Sequence, residues 1–199
     1  MTLPTHARVV IIGGGVSGCS VAYHLAHRGW TDIVLLERKR LTCGTTWHAA
    51  GLIGQLRANQ NMTRLAKYSA DLYSRLEAET GMATGLKVSG SLTVALTEHR
   101  REEILRQASL ARAFGVEVEE VSPDTAKEMC PYLTTDDIVS AVSLPGDGQC
   151  DPANIAMALA KGARLKGAKI VEGVRVIAVT DDGRRVTGVD YADESGETG

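Results

Sequence analysis

The glycine pattern Gly13-x-Gly15-x-x-Gly18, near the head of a 199-residue chain, constrains the fold more than any other feature. A β-branched run, Val9 to Ile12, leads straight into it, and Val21, Ala22, Leu25 and Ala26 follow at helical spacing. Such a succession reads as strand, tight turn and helix. Gly29 ends the helix, Ile33 to Leu36 form a second buried strand, and Glu37 stands at its C-terminal end, 19 residues beyond Gly18. Together these are a dinucleotide-binding fingerprint in the βαβ context it requires.

Each residue type has a physical task in that reading. Gly13 permits the sharp turn, Gly15 lets the backbone approach a pyrophosphate, and Gly18 lets the helix pack closely on the strand. Unpaired N–H groups at the helix start, helped by the positive end of the helix dipole, hold the phosphates. Glu37 is placed to accept hydrogen bonds from the adenosine ribose. Its charge repels a 2′-phosphate, which disfavours NADP.

The chain then leaves the simple doubly wound plan. Arg38 to Leu56 is too rich in Gly, Thr and Ala for another crossover unit, and its small residues suit backbone pressed against a flat ligand. Asn61 to Thr80 predicts an amphipathic helix with a core-facing stripe of Leu65, Tyr68, Leu72 and Leu76, stopped at Gly81. Two short β runs flank Gly90, a helix covers Glu98 to Phe114, and Val116 to Val121 is a strand. Ser122 caps a brief helix before Pro131, and Ile138 to Leu144 is another strand. This mixture predicts an α/β, Rossmann-like domain over residues 1–60 and 149–199, interrupted by an inserted α+β lobe at 61–148.

Asp151-Pro152 starts a helix with Ile155, Ala158, Leu159 and Ala163 on one face, and Gly167 ends it. Lys169 to Val171 and Val174 to Val179 are expected to rejoin the nucleotide-binding sheet. Arg185 to Tyr191 alternates like a half-exposed strand and runs into a turn whose returning strand is missing. A chain truncated at its C-terminus is the expectation.

Composition narrows the partners. A formal charge of −2 without a basic run argues against nucleic acid, and 44% hydrophobic residues suffice for a sizeable core. No apolar stretch approaches the ~20 residues of a membrane span, and the polar start lacks the apolar core of a signal peptide, so a cytoplasmic protein is expected. Cys19, Cys43, Cys130 and Cys150 have no metal or redox spacing and are expected to be reduced, packed thiols. His24 and His27 lie one helical turn apart with no carboxylate or cysteine nearby in sequence, which favours surface or packing roles over metal.

His48 sits in Gly44-Thr45-Thr46-Trp47-His48-Ala49-Ala50-Gly51-Leu52. By spacing alone, a lone histidine beside a glycine-rich turn is more often packed or solvent-facing than catalytic. That segment, the fingerprint with Glu37-Arg38, and Pro145-Gly146-Asp147-Gly148 followed by Asp151-Pro152 resemble the N-terminal part of the dimethylglycine dehydrogenase and sarcosine dehydrogenase family of flavoproteins. The resemblance implies FAD joined covalently through His48, with Val16 and Ser17 at the pyrophosphate and Glu37 and Arg38 by the adenosine. It further implies that Gly44 to Leu52 line the flavin and Val176 faces the adenine. In the loop, only Cys43 is a nucleophile comparable to His48.

The activity so implied is oxidation of a small N-methyl amine, such as sarcosine or dimethylglycine, by hydride transfer. Tetrahydrofolate is a possible acceptor of the one-carbon unit in the full-length protein. Oxygen and an electron-transfer flavoprotein are both open as oxidants of the flavin, and no catalytic base is apparent. Substrate contacts are expected mostly downstream, so this stretch alone is expected to be inactive. Arg57, which could meet a substrate carboxylate, is more often simply exposed in such a position. Two other readings compete: a noncovalent FAD amino-acid oxidase, and a catalytically silent regulatory or binding subunit of the same fold.

Overall fold

The computed structural model describes residues 3–199, which divide into two compact units. The first comprises 3–50, 75–85 and 151–199, and the second 51–74 and 86–150.

In the first unit, β1 (Val9–Ile12), β2 (Ile33–Glu37) and β8 (Lys169–Glu172) form a parallel sheet in the order β1-β2-β8. The β-branched and leucine-rich strands pair in register, Val9 with Ile33 and Leu35 with Ile170. All five residues of β2 are buried, as a central parallel strand covered on both faces demands. Helix α1 (Val16–His27) packs against α5 (Pro152–Leu165). They approach closely because Gly162 has no side chain: a Cβ there would come within 2.8 Å of the Tyr23 ring. Asp151 caps α5 through the N–H groups of Ala153 and Asn154, and the expected stripe Ile155, Ala158, Leu159 and Ala163 is buried.

The expected face of α1 needs correction. Val21 is exposed, and Cys19, Ala22, Tyr23 and Ala26 are the buried residues. Cys19, Ala22 and Ala26 leave α5 room to come close, and the one large inward residue, Tyr23, is accommodated over Gly162.

Strand β9 (Val174–Asp181) was expected in the nucleotide-binding sheet and is not there. It pairs antiparallel with β10 (Val186–Asp193) as a separate hairpin, with a bridge from Ala192 to Thr198. The reason lies in Val34, Leu36 and Val171 on one face of the parallel sheet, which cluster with Val174, Val176, Val189 and Tyr191 of the hairpin. The hairpin covers that face instead of extending the edge. Alternation along β2 sends Ile33 and Leu35 to the opposite face.

The second unit is antiparallel. β4 (Ser91–Ala95), β5 (Glu119–Val121) and β6 (Ser140–Leu144) run in the order β4-β6-β5, and β3 (Leu52–Ile53) pairs with β7 (Gly148–Gln149). Helix α3 (Glu98–Ala113), capped by Thr97, buries Ile104, Ala108 and Ala111 against Ala95, Val142 and Leu144. Ser122 caps α4 (Pro123–Met129) as its sequence implies.

Helix α2 (Gln60–Thr80) gives its first 15 residues to the second unit and its last six to the first. Asn59 accepts from the N–H of Met62 at its start, and Gly81 follows its end with φ +64°. Of the expected stripe, Leu72 and Leu76 are buried while Leu65 and Tyr68 are largely exposed. No helix among the described residues is long and apolar enough to cross a membrane.

Candidate functional site

Three successive glycines make the turn after β1, each for a different reason. Gly13 has φ +102°, a conformation that side chains resist. A Cβ on Gly14 would overlap the Leu41 side chain and lie 3.0 Å from the Glu37 Cβ. Gly15 is the N-cap of α1, and its missing side chain leaves room for the Thr46 hydroxyl. Gly18, one turn into the helix, lies so close to the turn that a Cβ would overlap the Gly13 carbonyl oxygen.

Glu37 is buried, 8% exposed, and its two oxygens are already engaged. Oε2 accepts from the Gly14 N–H at 2.6 Å and Oε1 from the Lys39 N–H at 3.0 Å. The carboxylate therefore braces the turn as well as standing on the cavity wall. Sequence spacing indicated the ribose role alone, because a hydrogen bond to the backbone of the motif itself leaves no mark in residue types.

The loop after β2 folds back on this turn. Residues Thr46–His48 form a short 3₁₀ turn, and the buried Thr46 hydroxyl accepts from the Val16 N–H at 2.9 Å. This bond ties the Thr-Thr-Trp-His segment to the first residue of α1. A cavity of about 580 Å³ lies against both, walled by Gly13, Gly15, Val16, Ser17 and Gly18 from the turn and by Glu37, Arg38, Gly44, Thr45, Thr46 and Ala49 from the loop. Ile12 and Cys43 also reach it. Trp47 and His48, between Thr46 and Ala49, are exposed, with ring centroids 3.8 Å apart.

The remaining expected residues lie elsewhere. Ala50 is exposed, and Gly51, buried with φ +75°, and Leu52, 75% exposed, belong to the second unit. Val176 is half-buried on the apolar cluster beneath the β9–β10 hairpin.

The cavity suits a diphosphate. The α1 N-terminus has no side-chain cap and no acidic residue in its first turn, which preserves its positive field, and the exposed Arg38 adds a charge. The Val16 N–H is taken by Thr46, whereas the N–H groups of Ser17 and Gly18, also in the first turn of α1, have no acceptor within the helix.

The cysteines divide. The Cys19 thiol faces the Gly14 carbonyl at 3.6 Å, and burial pushes its pKa up to about 11, so it stays protonated. Cys43 departs from the packed state expected of it: it is exposed at the cavity, 3.7 Å from Glu37 Oε1. His27 has acquired a partner that local sequence could not supply. Its Nε2 lies 2.6 Å from Glu79 Oε1, and the Tyr23 hydroxyl donates to the same carboxylate. Burial works against the charge on Glu79, but the hydrogen bonds from Tyr23 and His27 and the charges of His27 and Arg75 outweigh it and lower its pKa.

Residues 8–199 match the family described as FAD dependent oxidoreductase. The chain belongs to this family. It is 44% identical to 4-methylaminobutanoate oxidase (formaldehyde-forming) of Paenarthrobacter nicotinovorans and 43% identical to mitochondrial sarcosine dehydrogenase of Homo sapiens, over 94% of the chain in each case. It is also 40% identical to the mitochondrial pyruvate dehydrogenase phosphatase regulatory subunit of Mus musculus, over 96% of the chain. The matches cover 23%, 21% and 22% of those proteins, so the chain spans about a fifth of their length. Among solved structures, L-proline dehydrogenase from P. horikoshii superposes with a TM-score of 0.88 at 28% identity, covering 95% of this chain and 50% of that one. The Rossmann-like fold expected from the glycine pattern and the FAD-binding character implied by the resemblance are thereby established, and so is the resemblance to the sarcosine and dimethylglycine dehydrogenases.

Proposed function

We propose that this chain is the cofactor-holding portion of an enzyme that oxidises a small N-methyl amino acid, such as sarcosine or dimethylglycine, with FAD covalently attached at His48. One observation carries the reading: the 2.9 Å bond from Val16 N–H to Thr46 Oγ1, which fastens the Trp47-His48 segment to the turn that would grip the diphosphate. Nothing in the fingerprint alone requires a histidine loop there.

In this reading the N–H groups of Ser17 and Gly18 and the dipole of α1 hold the diphosphate, Arg38 adds charge, and Glu37 keeps the turn rigid. When bound, FAD supplies a two-electron acceptor for a hydride from the substrate methyl group. Only a neutral amine gives up hydride readily, so the protein must bind the substrate without stabilising its ammonium form. The exposed His48 imidazole is accessible for attachment, and its pairing with the Trp47 ring restricts its orientation. The second unit is assigned the substrate side, and tetrahydrofolate a possible role in the full-length protein.

Two measurements test this. Under denaturing conditions the full-length polypeptide should carry the added mass of one FAD, lost in His48→Ala; a bare polypeptide mass refutes the tether. Anaerobic sarcosine or dimethylglycine should bleach the flavin. Failure of every N-methyl amine would favour the second reading, a silent regulatory subunit, to which the similarity with the phosphatase regulatory subunit gives weight.

A further inference from the structure

After Glu37 the chain doubles back across the glycine turn. Leu41, buried, lays its side chain over Gly14, and the Thr42 N–H donates to the Gly14 carbonyl at 3.0 Å. Thr42 has φ +69°, a conformation that a β-branched residue resists. Asp32 is the other non-glycine residue with positive φ among the described residues, and an aspartate tolerates that region far better. Directly after Thr42 come Cys43, Gly44, Thr45 and Thr46, which wall the large cavity. The conformation of one strained residue therefore sets where that wall stands.

What opposes the strain comes from 131 positions away. The Leu41 N–H donates to Glu172 Oε1 at 2.6 Å, and the next residue, Gly173, donates its N–H to the Lys39 carbonyl at 2.9 Å. The end of β8 thus holds the loop on either side of Arg40. Glu172 is exposed and does not line the cavity, yet it pairs in register with Glu37, which does. By charge alone, a second carboxylate this near an anion site weakens anion binding. Its bond to the loop acts in the opposite direction, so the two contributions differ in sign.

We propose that Glu172 is a positioning residue for the dinucleotide cradle: its bond to the Leu41 N–H holds Thr42 in the left-handed conformation, which keeps Leu41 and the wall at 43–46 seated on the glycine turn. The inference rests on membership of the FAD-dependent family, and on neither the N-methyl substrate nor attachment at His48. Glu172 acts only through Leu41 and Thr42.

The test uses the full-length protein, produced under flavin starvation and titrated calorimetrically with ADP, the half of FAD that carries the adenosine and the diphosphate. Glu172→Ala should weaken ADP roughly 5- to 20-fold although it removes a negative charge, the size expected of coupling through packed neighbours. Glu172→Gln keeps an acceptor oxygen and should stay within about 2-fold of the wild type. Thr42→Gly placed in the Glu172→Ala background should recover most of the loss, because glycine takes φ +69° without strain. A role in general stability alone would lower the denaturation midpoint and leave ADP affinity where it was. ADP bound by Glu172→Ala as tightly as by the wild type, or more tightly, overturns the proposal. So does an equal loss in Glu172→Gln, a Thr42→Gly substitution that restores nothing, or a wild-type protein that does not bind ADP. Should N-methyl amines fail to bleach the flavin while ADP still depends on Glu172, the oxidase reading falls and the positioning role stands. Bleaching by those amines with ADP affinity indifferent to Glu172→Ala does the reverse.

Discussion

Among the described residues each unit has one buried carboxylate as its polar centre, and the two are held differently. Glu37, in the first unit, binds the N–H groups of Gly14 and Lys39, both inside the stretch that forms the glycine turn and its following strand. Asp147, 7% exposed in the second, reaches the Gln55 N–H 92 positions away and the Ser91 hydroxyl 56 positions away. Burying an unpaired carboxylate is costly, so each must be matched by donors. Glu37 is matched within one motif, whereas Asp147 is matched by joining loops that have no relation in sequence. The first arrangement makes a portable cradle; the second makes a unit whose loops depend on one another.

The sharpest break of that comparison is Gly18→Ala, which drives a Cβ into the Gly13 carbonyl oxygen. It should destabilise the protein by about 3 kcal/mol or more and abolish FAD retention. Gly44→Ala, on the same cavity with open space at its Cβ, should stay within about 0.5 kcal/mol in the same denaturant titration. Equal losses at the two positions would remove the steric account.

Removing either carboxylate comes next. Glu37→Ala and Asp147→Ala should each cost about 2–4 kcal/mol, since each strands two donors that are buried or half-buried. FAD content should then separate them: reduced in Glu37→Ala, unchanged in Asp147→Ala, where KM for the amine rises instead. A loss of FAD from Asp147→Ala would show that the two centres do not act separately.

Thr46→Val keeps the shape but deprives the Val16 N–H of its acceptor. We expect about 1–1.5 kcal/mol and a fall in the covalently retained fraction of FAD, read from absorbance after denaturation. The smallest effect belongs to Tyr23→Phe, which removes the hydroxyl that donates to Glu79. It should cost about 0.5–1 kcal/mol at neutral pH, discounted for the partial exposure of Glu79. Because the folded pKa of Glu79 lies below its unfolded value, this contribution is complete above the unfolded value and is lost as pH falls through the folded one. The gap between wild type and Tyr23→Phe should therefore close on acidification from about pH 5 downward. A gap that widens there would mean that Glu79 is not held in its charged form.

The parallel strands, α1, α5 and the caps at Ser122 and Asp151 were legible in sequence because local residue types specify them. The failures share a cause. Val21, Leu65 and Tyr68 are apolar residues at good helical spacing that lie outside the core, and which face is buried depends on neighbours distant in sequence. The hairpin of β9 and β10 was expected in the wrong sheet for the same reason: a strand's partners follow from which face needs cover, and alternation alone does not tell which. In the candidate site, the glycines and the Thr45 to Ala49 loop could be read as one constellation. The Thr46 and Asp147 bonds could not, because they are side chain to backbone contacts across long stretches of chain.

The crowding around Gly14 and Gly18 bears on how kin of this protein should be judged. A descendant released from all redox duty would still need those two positions bare merely to close the turn, so their persistence testifies to architecture, not to occupation by a nucleotide. His48, standing in solvent with no structural bond through its ring to defend, is under no such obligation. Under the proposed attachment, that imidazole is the better witness to surviving chemistry among diverging copies.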